Sequence, residues 1–472
     1  MTFPLRRAAA TIAGKAALEL SRRLGRGGGT QLPGVVARRV APNVLQDLAS
    51  ALPQGVVLVT GTNGKTTTAR MLAAILKAEH LRVLHNRAGA NLITGLTATA
   101  VANSDLFGRP RADIGLFETD EAHLPAAIRE TQPRVVLMLN LFRDQLDRYG
   151  EVDTIAKRWR VALETLPQSS TVVLNADDPA VAYLGQGLHC RVVYYGLEDV
   201  RHGIEGVQHM ADSQFCRRCG TAYVYAPAFY GHIGHYHCPN CGLARPRPQV
   251  RLERLTLSGI AGSQLAIMAE PGVFDVRLPV PGLYNALNAL AAATAALQLG
   301  AAPAMIRGAL ESFTAAFGRI ERISIAGRDV LIALIKNPVG ASETVRMITT
   351  TPSAQQAADA VPLHLLVIIN DKIADGTDVS WLWDANFEQL AGRVAQVVVS
   401  GTRAADMAVR LKYAGVDAES IVTETDLGLA LDRILTLAPA DQPLYLLPTY
   451  TAMLELRAEL ARRGLVKPFW ED

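Results

Sequence analysis

The stretch GVVLVTGTNGKTTTARMLAAIL, residues 55–76, constrains the fold of this chain more than any other. It reads as a β-branched strand, a glycine-bearing loop, and a helix whose apolar residues Met71, Leu72, Ile75 and Leu76 recur at helical spacing. Counting back five positions from Gly64 gives Val59, so the common G-x-x-x-x-G-K-[ST] spacing fails and a shorter G-x-x-G-K-T form stands in its place. A glycine loop entering a helix leaves backbone N–H groups unpaired and directed at one spot, where they hold phosphate oxygens. Lys65 adds a mobile positive charge for the terminal phosphates, and Thr66 offers a hydroxyl to magnesium. An ordinary strand-to-helix turn is the plain alternative. The joint occurrence of Gly61, Gly64, Lys65 and Thr66 in a strand–loop–helix context weighs against it.

Similar buried-strand signals recur at residues 82–85, 114–118, 134–140, 170–175 and 191–196, separated mostly by helical stretches. The expected class is therefore α/β with a parallel, doubly wound sheet. Residues 250–259 and 272–282 read as strands of a small antiparallel unit, and 284–300 as a strong helix. A second alternating pattern follows at 329–335, 363–370, 394–401 and 442–449. The expected organisation is a basic N-terminal segment over 1–46, a central nucleotide-binding domain over 47–316 with an insertion near 210–250, and a C-terminal α/β domain over 317–472.

Charge and composition bound the setting. Residues 1–40 hold eight Lys or Arg against one acid, Glu19, while the whole chain of 472 residues is only +3. No run of about 18 uncharged apolar residues appears, and the N-terminus lacks the compact apolar core of a secretory signal, so a cytoplasmic protein is expected. The basic N-terminus suits either the anionic inner face of the plasma membrane or a solvated helix face.

Four of the five cysteines form two C-x-x-C pairs, Cys216/Cys219 and Cys238/Cys241. The 18-residue separation matches a two-knuckle ribbon, in which four thiolates close a tetrahedron around Zn²⁺ and leave no position for water. Such a site is structural. His232, His235 and His237 lie between the pairs, but four cysteines already saturate zinc. Cys190 reads as an inert, partly buried thiol.

TGTNGKTTT resembles the ATP loop of the Mur ligase family, whose members join a carboxylate to an amine through an acyl phosphate. The resemblance implies an ATP-dependent ligase with nucleotide contacts from Gly61, Thr62, Asn63, Gly64, Lys65, Thr66 and Thr67. FETDEA is similar to the segment bearing that family's acidic magnesium ligand, which implies Glu118 beside Thr66 as the Mg²⁺ site. NLFRDQLDRYGE resembles a further metal-site segment, but Gln145 stands where those ligases usually carry histidine. YNALNALAA resembles the helix near the adenine and implies Asn285 and Asn288. FGRIE resembles the arginine-bearing hinge and implies that Arg319 meets a phosphate on domain closure.

The cysteine ribbon is similar to an insertion carried by one branch of the family, the synthetase subunits of a two-subunit amidotransferase acting on the cell-wall precursor lipid II. LVIINDKIADGTDVSWLWDANFE, residues 366–388, resembles the same branch and holds Asp371, Asp375, Asp378 and Asp384. The resemblance implies an aspartate, Asp378 first and Asp384 second, that completes a triad whose cysteine and histidine lie on a partner, a GatD-type class I glutamine amidotransferase. KNPVGASE points to Lys336 and Asn337 near substrate, and LPTYTAMLELR to Thr449 and Tyr450. The implied reaction is amidation of the α-carboxylate of D-glutamate in the peptidoglycan stem peptide with ATP, Mg²⁺ and partner-derived ammonia. Two other readings stand beside it. One is a stand-alone amino-acid ligase of the Mur or folylpolyglutamate type, with Lys157 as a carbamylated lysine. The other is a zinc-ribbon nucleic-acid binder, disfavoured by a near-neutral chain whose basic charge gathers at the N-terminus.

Overall fold

The computed structural model describes residues 3–23, 31–86, 89–142, 151–204, 213–270, 272–314, 320–325, 327–349 and 362–466. Among the described residues the first large sheet contains β1 (Val56–Thr60), β2 (Val83–His85), β3 (Ile114–Glu118), β4 (Val135–Met138), β5 (Thr171–Asn175) and β6 (Arg191–Leu197). A hairpin follows, β7 (Val224–Tyr230) with β8 (Ile233–His237), and then β9 (Val250–Leu257), β10 (Ser263–Ala269) and β11 (Gly272–Leu278) return to the sheet. Its order is β11-β10-β9-β6-β5-β4-β1-β3-β2. Every residue of β1, β3 and β4 is buried, as expected for parallel strands covered by helices on both faces.

The strand order turns back around β1, which lies between β3 and β4. In open α/β sheets such a crossover leaves a crevice beyond the carboxyl ends of the strands. The phosphate loop follows β1 and therefore opens into that crevice. The helix Leu283–Gln298 packs against this sheet along a nearly continuous buried Ala and Leu surface, and the small side chains let it lie close to the loop.

The expected small antiparallel unit is instead an extension of the large sheet. β9 pairs in parallel with β6, Tyr195 opposite Val250, and β10 and β11 add antiparallel strands at its edge. The alternation in β9 marks a half-buried strand, but the partner along its edge is decided by chain topology, which periodicity does not encode.

The helix Phe3–Arg23 packs on Leu32–Val40 and Ile93–Ala102, and Ala10 and Ala37 enter the same core as Leu58 and Phe117. No described helix is long and apolar enough to cross a membrane.

The second large sheet comprises β12 (Ile320–Ile325), β13 (Arg328–Ala333), β14 (Leu363–Ile368), β15 (Val394–Ser400), β16 (Ile421–Thr423) and β17 (Leu444–Pro448), ordered β12-β13-β17-β14-β15-β16. All its pairings are parallel except β12 with β13. The expected boundary near residue 317 lies outside the described residues, and β12 begins just beyond it.

Candidate active site and cysteine ribbon

Gly61 and Gly64 have φ of 138° and 86°, the region that side chains rarely adopt. A Cβ on Gly64 would lie 2.2 Å from Asn288 Oδ1, and one on Gly61 would lie 2.9 Å from Leu139 Cβ. Glycine is therefore needed at both positions, for backbone shape and for close approach. Thr62 Oγ1 donates to Phe142 O at 3.0 Å and accepts from Phe142 N at 3.0 Å. Asn140 holds Asn63 from both sides: its Oδ1 accepts from Asn63 N at 2.8 Å and its Nδ2 donates to Asn63 O at 3.0 Å. These bonds fix the shape of the loop.

Lys65 Nζ donates to Gly61 O at 2.6 Å and to Glu121 at 3.2 Å. Burial raises the Glu121 carboxyl, and the Lys65 charge opposes that rise. Glu121 lies within FETDEA, where neither its position nor its type separates it from Asp120 and Glu118 in sequence.

Thr66 Oγ1 donates to Glu118 Oε1 at 3.0 Å. Glu118 is the last residue of β3 and is buried rather than exposed, and its Oε2 has no hydrogen-bond partner. Asn86 fixes it from behind, accepting from Glu118 N at 2.8 Å and donating to Glu118 O at 2.9 Å. A buried carboxylate oxygen without a donor, beside a hydroxyl oxygen, is a donor set that fits a hard cation such as Mg²⁺. Asn63 Nδ2 is likewise buried and unpaired, a donor where phosphate oxygens would supply acceptors.

A cleft lies between the two sheets, reached from the loop at Asn63, Gly64 and Thr67. Asn285 and Asn288 line it from the helix Leu283–Gln298, with Asn288 Nδ2 3.4 Å from Asn285 Oδ1 and Asn285 Nδ2 donating to Pro281 O at 2.7 Å. Both therefore serve the helix and face the cleft. Lys336, Asn337 and Glu343 line the opposite wall. Asn337 precedes the helix Pro338–Thr349, and its Oδ1 accepts from Gly340 N at 2.8 Å, the arrangement of an N-cap followed by proline. Its Nδ2 donates to Asn63 Oδ1 at 3.0 Å. Glu343 is buried, which pushes its carboxyl up to about 7 against the pull of Arg346.

Other expected residues lie elsewhere. Arg319 and Gln145 fall outside the described residues. Lys157 is exposed on the helix Glu151–Leu163. Thr449 is buried at the end of β17, where its Oγ1 accepts from Asn370 N at 3.0 Å, and Tyr450 is exposed; neither lines the cleft. Of the four aspartates, Asp371 is held by Thr402 and Arg403, and Asp375 by Thr451 N at 2.7 Å. Asp384 is half-buried at the end of the turn Ser380–Trp383. Asp378 alone of the four is exposed, and Ser380 N donates to its Oδ1 at 2.8 Å, lowering its pKa.

The four ribbon cysteines converge, with all four Sγ within 4.8 Å of one another. Each knuckle ends in a glycine with positive φ, Gly220 at 74° and Gly242 at 70°, whose N–H returns to the carbonyl of the first cysteine. Arg218 N donates to Cys216 Sγ and Cys241 N to Cys238 Sγ, at 3.4 and 3.5 Å. Contacts with Thr221 hold the Cys219 thiol down at about 5. Four convergent sulfurs with backbone N–H support fit a tetrahedral Zn²⁺. Two of the intervening histidines point elsewhere: His232 Nε2 lies 3.2 Å from Asp178 Oδ2, and His235 Nε2 2.7 Å from Leu197 O. Buried Asp177 ties the ribbon to the sheet, through Arg245 Nε at 2.6 Å.

Known proteins match over nearly the whole chain. The Mur ligase middle domain matches residues 59–231, and the MurT ligase C-terminal domain matches 334–453. The chain is 35% identical over 460 residues, 97% of each chain, to the lipid II isoglutaminyl synthase (glutamine-hydrolyzing) subunit MurT of Streptococcus pneumoniae. It is 32% identical over 449 residues to the same subunit of Staphylococcus aureus strain N315, covering 95% of this chain and 96% of that one. Among solved structures, a pseudomurein peptide ligase type C from Methanothermus fervidus superposes with a TM-score of 0.65 at 22% identity, over 89% of this chain and 81% of the other.

Proposed function

The chain belongs to the MurT family of ATP-dependent, Mur-ligase-like synthetase subunits, and on that premise we propose that it amidates the α-carboxylate of D-glutamate in the lipid II stem peptide. The carrying observation is the loop of Lys65 and the Thr66–Glu118 pair, opening into a cleft whose far wall comes from the second sheet.

In this reading the substrate carboxylate attacks the terminal phosphorus of ATP. A new O–P bond forms, the bond to ADP breaks, and an acyl phosphate results. Ammonia then attacks the acyl carbon; the C–N bond forms, phosphate leaves, and the nitrogen sheds a proton to solvent or base. Backbone N–H groups of the loop hold the phosphates, and Lys65 exchanges Glu121 for phosphate oxygens. Thr66 and Glu118 would hold Mg²⁺, which supplies charge neutralisation on the phosphates when bound. Arg319 adds charge on closure, while Asn285 and Asn288 contact the nucleotide. Cys216, Cys219, Cys238 and Cys241 hold a structural Zn²⁺.

Ammonia comes from glutamine on a GatD-type partner, and Asp378 orients that partner's catalytic imidazole. Its exposure supports this role, since a carboxylate that serves another chain must be reachable. Peripheral membrane contact is part of the reading as well. Leu5, Ile12 and Leu20 are exposed along the helix Phe3–Arg23 beside Arg6, Arg22 and Arg23, and Phe107 is 71% exposed next to Arg109. Apolar side chains within a basic rim suit an anionic leaflet.

The test is an assay of the purified chain with ATP, Mg²⁺ and a lipid II substrate, supplied either with ammonium or with free amino acids. Amidation with ammonium and no product from amino acids is expected. Amino-acid addition without a partner would overturn the proposal.

A further inference from the structure

Phosphate chemistry explains only the part of the cleft at the loop, where Gly64 meets Asn288. Glu343 lines the same cleft and also borders a separate small recess with Gly282, Leu283 and Arg346. Tyr230, Tyr284, Val280 and Val339 line the cleft as well, and their apolar and aromatic surfaces suit a flat ring.

Glu343 is the acid that lines this cleft. Arg346, one turn along the same helix, is 3.8 Å away, too long for a hydrogen bond, while its guanidinium donates to Phe229 O at 2.9 Å and His202 O at 3.0 Å. Tyr230 from β7 and Lys336 from the segment after β13 line the same cleft. The carboxyl therefore sits buried in the wall of the aromatic-lined cleft, with Arg346 directed largely at backbone carbonyls.

We propose that Glu343 reads the base of the nucleotide, accepting a hydrogen bond from the exocyclic amine of adenine. This rests on the ATP reading above and adds a specificity-determining residue to it. Burial pushes the carboxyl up to about 7, so near neutrality a protonated oxygen is also available to donate to the adjoining ring nitrogen.

The test compares binding of ATP, purine riboside triphosphate (which lacks the amine) and inorganic tripolyphosphate to the full chain with Mg²⁺. The unsubstituted chain should prefer ATP over purine riboside triphosphate by about tenfold, the scale of one buried hydrogen bond. Glu343→Leu should erase that preference and leave tripolyphosphate binding unchanged. Glu343→Gln, which keeps one donor and one acceptor, should retain it and also reports on folding. Persistence of the preference in Glu343→Leu, or its absence in the unsubstituted chain, would overturn the role of Glu343 alone. Failure of the unsubstituted chain to bind either ATP or tripolyphosphate would overturn the ATP reading and this inference together.

Discussion

Asn337 Nδ2 donates to Asn63 Oδ1 at 3.0 Å, joining the phosphate loop to a residue 274 positions later in the chain. The same Asn337 caps the helix Pro338–Thr349 through its Oδ1. One side chain thus couples loop geometry to the orientation of the helix that carries Glu343.

Asn337→Ala removes both bonds. ATP binding should weaken about fivefold if the interdomain bond contributes about 1 kcal/mol. Asn337→Asp keeps the cap but sets an acceptor against Asn63 Oδ1, so its binding should fall further. Titration with a fluorescent ATP analogue checks both variants, and equal affinity for Asp and wild type would show that the contact carries nothing.

Lys65→Ala should abolish amidation, because no other cation is hydrogen-bonded to the loop carbonyl at Gly61 among the described residues. Glu118→Gln should raise the Mg²⁺ concentration needed for activity by at least about tenfold, since an uncharged amide is a weaker ligand for a hard cation. Mg²⁺ titration of activity distinguishes the two effects. An unchanged Mg²⁺ requirement in Glu118→Gln would remove that residue from the metal site.

Asp378→Asn should reduce glutamine-dependent amidation about 10²-fold or more in the complex with the partner, while ammonium-dependent activity stays within about twofold. Equal loss with both nitrogen donors would defeat the triad assignment. The same comparison with Asp384→Asn ranks the two aspartates.

The purified chain should carry about one zinc per polypeptide. Cys238→Ser should lose it and lower the melting temperature. The ribbon shares contacts with the sheet through Asp177–Arg245, and the helix bearing Glu343 reaches it through Arg346, so local unfolding should also impair nucleotide binding. Metal analysis and calorimetry are the readouts.

Glu343 sets a pH dependence of stability. Its folded pKa is raised from 4.5 to about 7, so its stability contribution is fully present below about 4.5 and is lost as pH rises through about 7. Arg346 partly offsets the charge that then forms. Glu343→Gln should match wild type near pH 4.5 and exceed it at pH 8 by on the order of 3 kcal/mol. Urea denaturation at the two pH values measures the difference, and parallel behaviour of the two proteins would contradict the burial.

The local signals in this chain were carried by short stretches whose chemistry needs specific residue types in sequence. G-x-x-G-K-T, the C-x-x-C pairs and the β-branched runs are of that kind, because backbone shape, thiolate spacing and strand burial are set within a few residues. The family resemblance rested on the same stretches, and full-length relatives bear it out. The roles of Glu121, Asn86, Asn140 and Glu343 were not legible. Each depends on which strand lies beside which, and β9 joining β6 is likewise a choice of edge, not of pattern. Burial decides the rest: Glu118 and Asp378 are both acids in polar-looking stretches, yet packing leaves one with a dry, unpaired oxygen and the other in water. A sequence specifies which groups are available, whereas the desolvation and pairing that give them their chemistry arise only when distant segments close around them.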